Sequence, residues 1–246
     1  MQRGVSVAVL SLLILSAAPN AAAQFDTSWT TDYAINQTRF NMMMADTRFH
    51  LMMAERQAGA MRRAQLAGRA LPRSSSLTAT RFASASGPIA PERLGARYGR
   101  TAEERRDLTR LAHALLARYR EAQKRSGAPE NDVAEAMAYS LGAAYFIYSE
   151  GRARLTTEQS RGLAQIMRAF IIEHPPFRAM ADRDKQEAYE TLAIMSMYAL
   201  ARFEDAQRRN DAAALADLRQ MAVSHITETV GPMDSIMLTR DGFMYR

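Results

Sequence analysis

Two stretches of this chain are apolar on almost every helical side, and they leave few folds open. The first runs from Asn131 to Gly151 (NDVAEAMAYSLGAAYFIYSEG), with Met137, Leu141, Phe146 and Ile147 spread around the wheel. The second is Leu192 to Leu200 (LAIMSMYAL) inside a longer periodic segment. A helix that is greasy all round is stable only when neighbours cover more than one of its faces. Two of them in one chain predict an all-α bundle in which Val133 to Tyr148 and Leu192 to Phe203 lie side by side and other helices wrap them.

The wrapping helices are readable from caps and stripes. Thr101 and Glu104 form a capping box, in which the hydroxyl and the carboxylate each accept a backbone N–H from the other's residue. Leu108, Leu111, Ala112, Leu115 and Tyr119 follow as an apolar stripe that ends near Gly127 and Pro129. Thr156 and Gln159 make a second box ahead of Leu163, Ile166, Met167 and Phe170, and His174-Pro175-Pro176 stops that helix. A helix from about Asp182 to Arg209 comes next. The last, capped by Asn210 or Asp211, runs through Leu215, Leu218, Ala222 and Ile226 to Gly231-Pro232. The expectation is five main helices, with Gly142, Ala143 and Ala144 leaving room for a neighbouring helix to approach the central one. The tail from Ile236 to Tyr245 reads as short extended pieces around Asp241-Gly242.

Ahead of the bundle, at 100–246, three segments are expected. Residues 1–23 read as an export signal: Arg3, an apolar run from Val5 to Leu15, and Ala21-Ala22-Ala23 as the cleavage site. That run is shorter than the roughly 20 residues a bilayer core requires. The reading is therefore an exported protein, periplasmic or extracellular. Residues 24–69 form a methionine-rich, partly helical flexible arm, and 70–99 lack any sustained apolar period and read as a disordered linker. The chain has no cysteine. Its stability in an oxidising compartment must therefore come from packing.

Charge is unevenly placed. Gln24 to Arg100 carries 11 arginines against 5 acids, whereas Thr101 to Arg246 carries 20 basic residues against 21 acidic ones. A basic exported arm fits an anionic envelope surface better than nucleic acid. Only Lys124 and Lys185 are lysines, so much of the arginine is also consistent with a plain solvated chain.

Candidate chemistry is sparse. Met42, Met43, Met44, His50, Met52 and Met53 are soft donors that could hold Cu(I), or a methionine face that seats against a partner; a helix docked loosely on its own domain is the simpler reading. No cofactor is expected: the chain has no P-loop, no G-x-S-x-G elbow, no His-Glu-x-x-His helix and no dinucleotide fingerprint. Among the other histidines, His113 reads as solvated, His174 as a helix-end residue and His225 as a hydrogen-bonded core residue. Tyr139, Tyr145 and Tyr148 read as core and rim packing rather than a ligand groove. Two acid pairs at helical spacing, Asp132 with Glu135 and Glu187 with Glu190, could serve a glycan-cleaving enzyme, which needs one protonated and one ionised carboxyl group. Against that stands a non-catalytic helical module that binds a protein partner or itself.

The stretch from about Arg97 to Phe243 resembles a family of uncharacterised exported bacterial proteins. The resemblance rests on Asn131-Asp132-Val133, on Thr157-Glu158-Gln159, on Lys185-Gln186-Glu187-Ala188-Tyr189-Glu190, and on Leu238-Thr239-Arg240-Asp241-Gly242-Phe243. It implies no activity and leaves the methionine-rich arm outside.

Overall fold

A computed structural model describes residues 77–239 and 242–245, apart from 174–176 and 178. The expected export signal, the arm with its methionines and His50, the linker up to residue 76 and His174 all lie outside the described residues.

The described helices are α1 (Leu77–Thr80), α2 (Ala90–Tyr98), α3 (Ala102–Ser126), α4 (Val133–Tyr148), α5 (Thr157–Glu173), α6 (Asp182–Arg209) and α7 (Ala212–Val230). A short 3-10 turn (Met233–Ser235) leads to an antiparallel hairpin, β1 (Ile236–Thr239) with β2 (Gly242–Tyr245), in which Ile236 faces Tyr245 and Thr239 faces Gly242. The fold is mostly helical, and the hairpin, whose second strand packs beside α5, meets the expectation of short extended pieces at the tail. Five main helices are present as expected, and α2 is a sixth.

The two greasy helices are the centre. α4 packs against α5, α6 and α7, while α6 packs against α2, α3, α4 and α7. Leu141 on α4 is 0% exposed and Met195 on α6 is 7% exposed, so both lie beneath covering elements. Around them Leu115, Leu116, Tyr119, Leu163, Met167, Ile171, Leu218 and Ile226 close the interior. Burial of side chains this large, at about 1.5–3 kcal/mol each, is what replaces the missing disulfides.

Local signals hold where they were local. Glu104 N–H donates to Thr101 Oγ1 (3.1 Å) and Gln159 N–H to Thr156 Oγ1 (3.2 Å), completing both capping boxes with Glu104 and Gln159 reaching back. Asp132 rather than Asn131 caps α4, accepting from Ala134 N–H at 3.0 Å, and Asp211 caps α7 through Ala214 N–H at 3.0 Å. Gly127 ends α3 at φ 67°, a left-handed turn that costs glycine least.

Two expectations are corrected. The close approach at Gly142 is made by a loop side chain: a Cβ there would stand 3.2 Å from Leu155 Cδ1. And the described part of the linker, 77–99, is ordered structure, not a disordered spacer. It comprises α1, an irregular strap from Arg81 to Ile89 that bridges Asp132 at its start and bends at Ser86, Gly87 and Ile89, and α2. Phe82 and Ala90 are buried, and α2 lies so close to α3 that a Cβ on Gly95 would overlap Thr109 Oγ1. The strap has no apolar period because its main chain, not its side chains, makes most of its bonds.

Candidate functional site

Asp182, Gln186 and Glu190 are four residues apart on α6 and so share one helix face. That face reads the strap's backbone. Ala83 N–H donates to Asp182 Oδ2 (2.9 Å) and Ala85 N–H to Gln186 Oε1 (2.7 Å), while Gln186 Nε2 donates to Gly87 O (2.9 Å). Ile89 N–H and Ala90 N–H both donate to Glu190 Oε2, at 2.7 and 2.9 Å. On the opposite side Phe82 N–H donates to Asn131 O (3.1 Å). The strap is therefore paired on both flanks.

Glu190 is the deepest of these groups, with 0% of its side chain exposed. A buried carboxylate is tolerated only with several donors. Here two backbone N–H groups, Gln186 Nε2 at 2.9 Å and Arg120 at 3.5 Å supply them. The same carboxylate is the N-cap of α2. Ile89, in the cap position, has no capping side chain of its own, and a helix start left open would strand N–H groups. Glu187, nearly one turn earlier, pairs with Arg93 on α2.

Aromatic rings complete the clamp. Phe82 stands edge-on to Tyr189 at 5.4 Å, Tyr189 to Tyr119 at 5.6 Å and Tyr119 to Tyr139 at 4.9 Å. Burial pushes the Tyr189 hydroxyl up to about 12, so it stays a donor, and it donates to Gln123 Oε1 at 2.6 Å. Tyr139 donates to Met197 Sδ at 3.2 Å.

The second acid pair lies at the start of α4. Arg168 on α5 donates to Asp132 Oδ2 (2.9 Å) and to Glu135 Oε1 (3.0 Å), and Arg81 of the strap approaches Asp132 at 3.9 Å. Burial pushes the Glu135 carboxyl above its ordinary range, and the Arg168 hydrogen bond offsets this only in part. Burial works against the Arg168 charge too, but the hydrogen bonds and charges of Asp132 and Glu135 outweigh it and hold the guanidinium pKa above the usual value. Arg168 Nε is buried with no hydrogen-bond partner among the described residues.

The structure thus places the four candidate acids in two clusters, each built around arginine. With the strap in place, Asp132 and Glu190 have fully buried side chains. His113 is part-exposed and bonds Glu92 at 2.8 Å. His225 bonds Ser140 Oγ at 2.9 Å, and burial lowers its pKa to about 4, in keeping with a neutral, hydrogen-bonded histidine on the inward face of α7. Among the described residues no three His, Cys, Asp or Glu side chains gather as a metal site, and no described helix is long and apolar enough to cross a membrane.

Sequence reasoning missed Gln186, Asp182 and Phe82 as site residues. The four-residue spacing of Asp182, Gln186 and Glu190 was there to be found, but on a helix surface it also describes a solvated face. Two of the motifs that carry the family resemblance, Asn131-Asp132 and Gln186 to Glu190, turn out to be the two flanks of the strap.

No curated protein and no solved structure matches the chain. A family model does, over residues 1–245, so the match takes in the methionine-rich arm that the resemblance over about 97–243 leaves out. The chain belongs to the Family of unknown function (DUF6683).

Proposed function

We propose that this is a non-catalytic exported envelope protein, a helical interaction module that holds a protein partner or a second copy of itself, with the methionine-rich segment from Phe25 to Gly68 as one contact. One observation carries the reading. The four acids that glycan chemistry would need are committed to the fold: Glu190 caps α2, Glu187 holds Arg93, and Asp132 and Glu135 share Arg168. A general acid and base must be free to reach a substrate, and two of these four are fully buried.

Export is supported by the basic start, short apolar run and alanine triplet of the first 23 residues, and the excess of arginine up to Arg100 suits an anionic envelope surface. The methionine side chains of the arm are adaptable and polarizable, a composition that seats against varied surfaces.

The test compares in-cell crosslinking of the full chain with that of a chain lacking 25–68. The expected result is loss of the crosslinked species on deletion, and an unchanged set removes the arm from the account. Incubation of the purified full chain with peptidoglycan is expected to release no sugar fragments. Release that disappears in Glu187→Gln would overturn the non-catalytic reading.

A further inference from the structure

The strap is held in the way a protein holds an extended peptide: one aromatic anchor in a pocket, with main-chain N–H groups bonded on both flanks. Phe82 is the anchor, against Tyr189. Ala83, Ala85 and Phe82 supply the N–H groups, to Asp182, Gln186 and Asn131 O. Residues 83–87 themselves are exposed, so from the anchor to Gly87 no buried apolar side chain binds the strap down. Gly87 has nothing within 4 Å of the position a Cβ would take and is held only through its carbonyl by Gln186 Nε2, whereas α2 behind it is fixed on α3 and Glu190. The part of the strap ahead of Gly87 is separable from the part behind it.

We propose that the α6 face formed by Asp182, Gln186 and Tyr189, with Asn131-Asp132 as its far rim, is a peptide-recognition groove filled in cis by the strap, and that the partner it takes is an extended segment carrying an Arg-Phe pair. The occupant's chemistry follows from the groove. Asp132 beside Arg81 at 3.9 Å favours a cation immediately before the aromatic ring. The pocket beside Tyr189 favours the ring, and Asp182 and Gln186 accept N–H groups one and three positions after it. The side chains at those positions are exposed, so the groove reads the main chain there rather than side-chain identity. The strap competes from a high effective concentration, as any tethered ligand does, so a partner gains the groove when the strap is drawn off, for example by tension on the arm that precedes it.

This inference rests on reading the protein as an interaction module and names the face that binds. Its test is separate from crosslinking through the arm: binding of a peptide to the bundle can fail while the arm keeps its contacts, and the reverse. The probe is a fluorescein-labelled synthetic peptide of residues 77–89 (LTATRFASASGPI), titrated by anisotropy into the full chain and into two full-length variants that loosen the strap and leave the groove intact. One is Ala83→Pro with Ala85→Pro, both exposed positions, which removes two donor N–H groups. The other is Phe82→Ala, which removes the anchor. The expected result is at least tenfold tighter binding to either variant than to the native chain, lost when the peptide carries Phe82→Ala. Folded variants that bind the peptide no better than the native chain overturn the proposal. A native chain that runs as a dimer, split by the peptide, also overturns it by assigning the groove to a second copy's strap.

Discussion

The α4/α6 pair and the strap that crosses α6 are held by opposite means. The helix pair is apolar packing: Leu141, Ala193, Ile194 and Phe203 lose nearly all contact with solvent, and their main-chain groups are satisfied within each helix. The strap is polar pairing: one buried ring, and a row of backbone N–H groups given to side chains of a helix about 100 residues away in sequence. A packed core resists opening because many contacts break together, whereas a row of hydrogen bonds at the surface opens piecemeal, each contributing about 1 kcal/mol net. One molecule therefore contains a rigid frame and a segment built to be less firmly held.

The largest expected effect is on the frame. Leu141→Ala leaves a cavity between α4 and its neighbours and is expected to cost about 3–4 kcal/mol, seen as a fall in the denaturation midpoint with an unchanged slope. Glu190→Ala comes next, at about 2–3 kcal/mol, because it strands the N–H groups of Ile89 and Ala90 and uncaps α2. Its signature should be local: faster proteolysis in 81–98, with α4 still protected. A variant as destabilised throughout as Leu141→Ala would blur the distinction between frame and strap.

Acid should act on the frame. His225 is neutral in the fold with a pKa lowered to about 4, while the unfolded chain takes up the proton near 6.5. Stability from this group is present above pH 6.5 and lost as pH falls toward 4, by about 2 kcal/mol after allowing for its partial burial. His225→Gln should flatten that part of the stability profile, and an unchanged profile would place the histidine outside the core. The smallest effect is expected of Gln186→Ala, about 1–2 kcal/mol, seen as faster exchange at Ala85 and, because Gln186 also donates to Glu190, at Ile89 and Ala90.

The same contrast explains what was legible in the sequence. The frame announces itself because burial imposes helical periodicity, and the Thr101 and Thr156 boxes because both halves of each lie within four residues. The α2 cap itself has no local trace: its acceptor is Glu190, and the sequence after Ile89 shows only a proline and Glu92 in the first turn. The strap reads as linker for the same reason. Its specificity lies in main-chain groups that every residue type possesses, so nothing in Ala83-Ser84-Ala85-Ser86 marks it. The acid pairs were found by spacing, but spacing alone does not reveal that Arg93, Arg120 and Arg168 take them up.

The most direct test is native-state hydrogen exchange on the full chain, resolved to single amides. Ala83 and Ala85 are predicted to exchange through an opening at least about 2 kcal/mol cheaper than the one that frees Leu141 and Ala193, with the helix pair exchanging only on global unfolding. Equal opening free energies at all four amides would contradict the division into frame and strap.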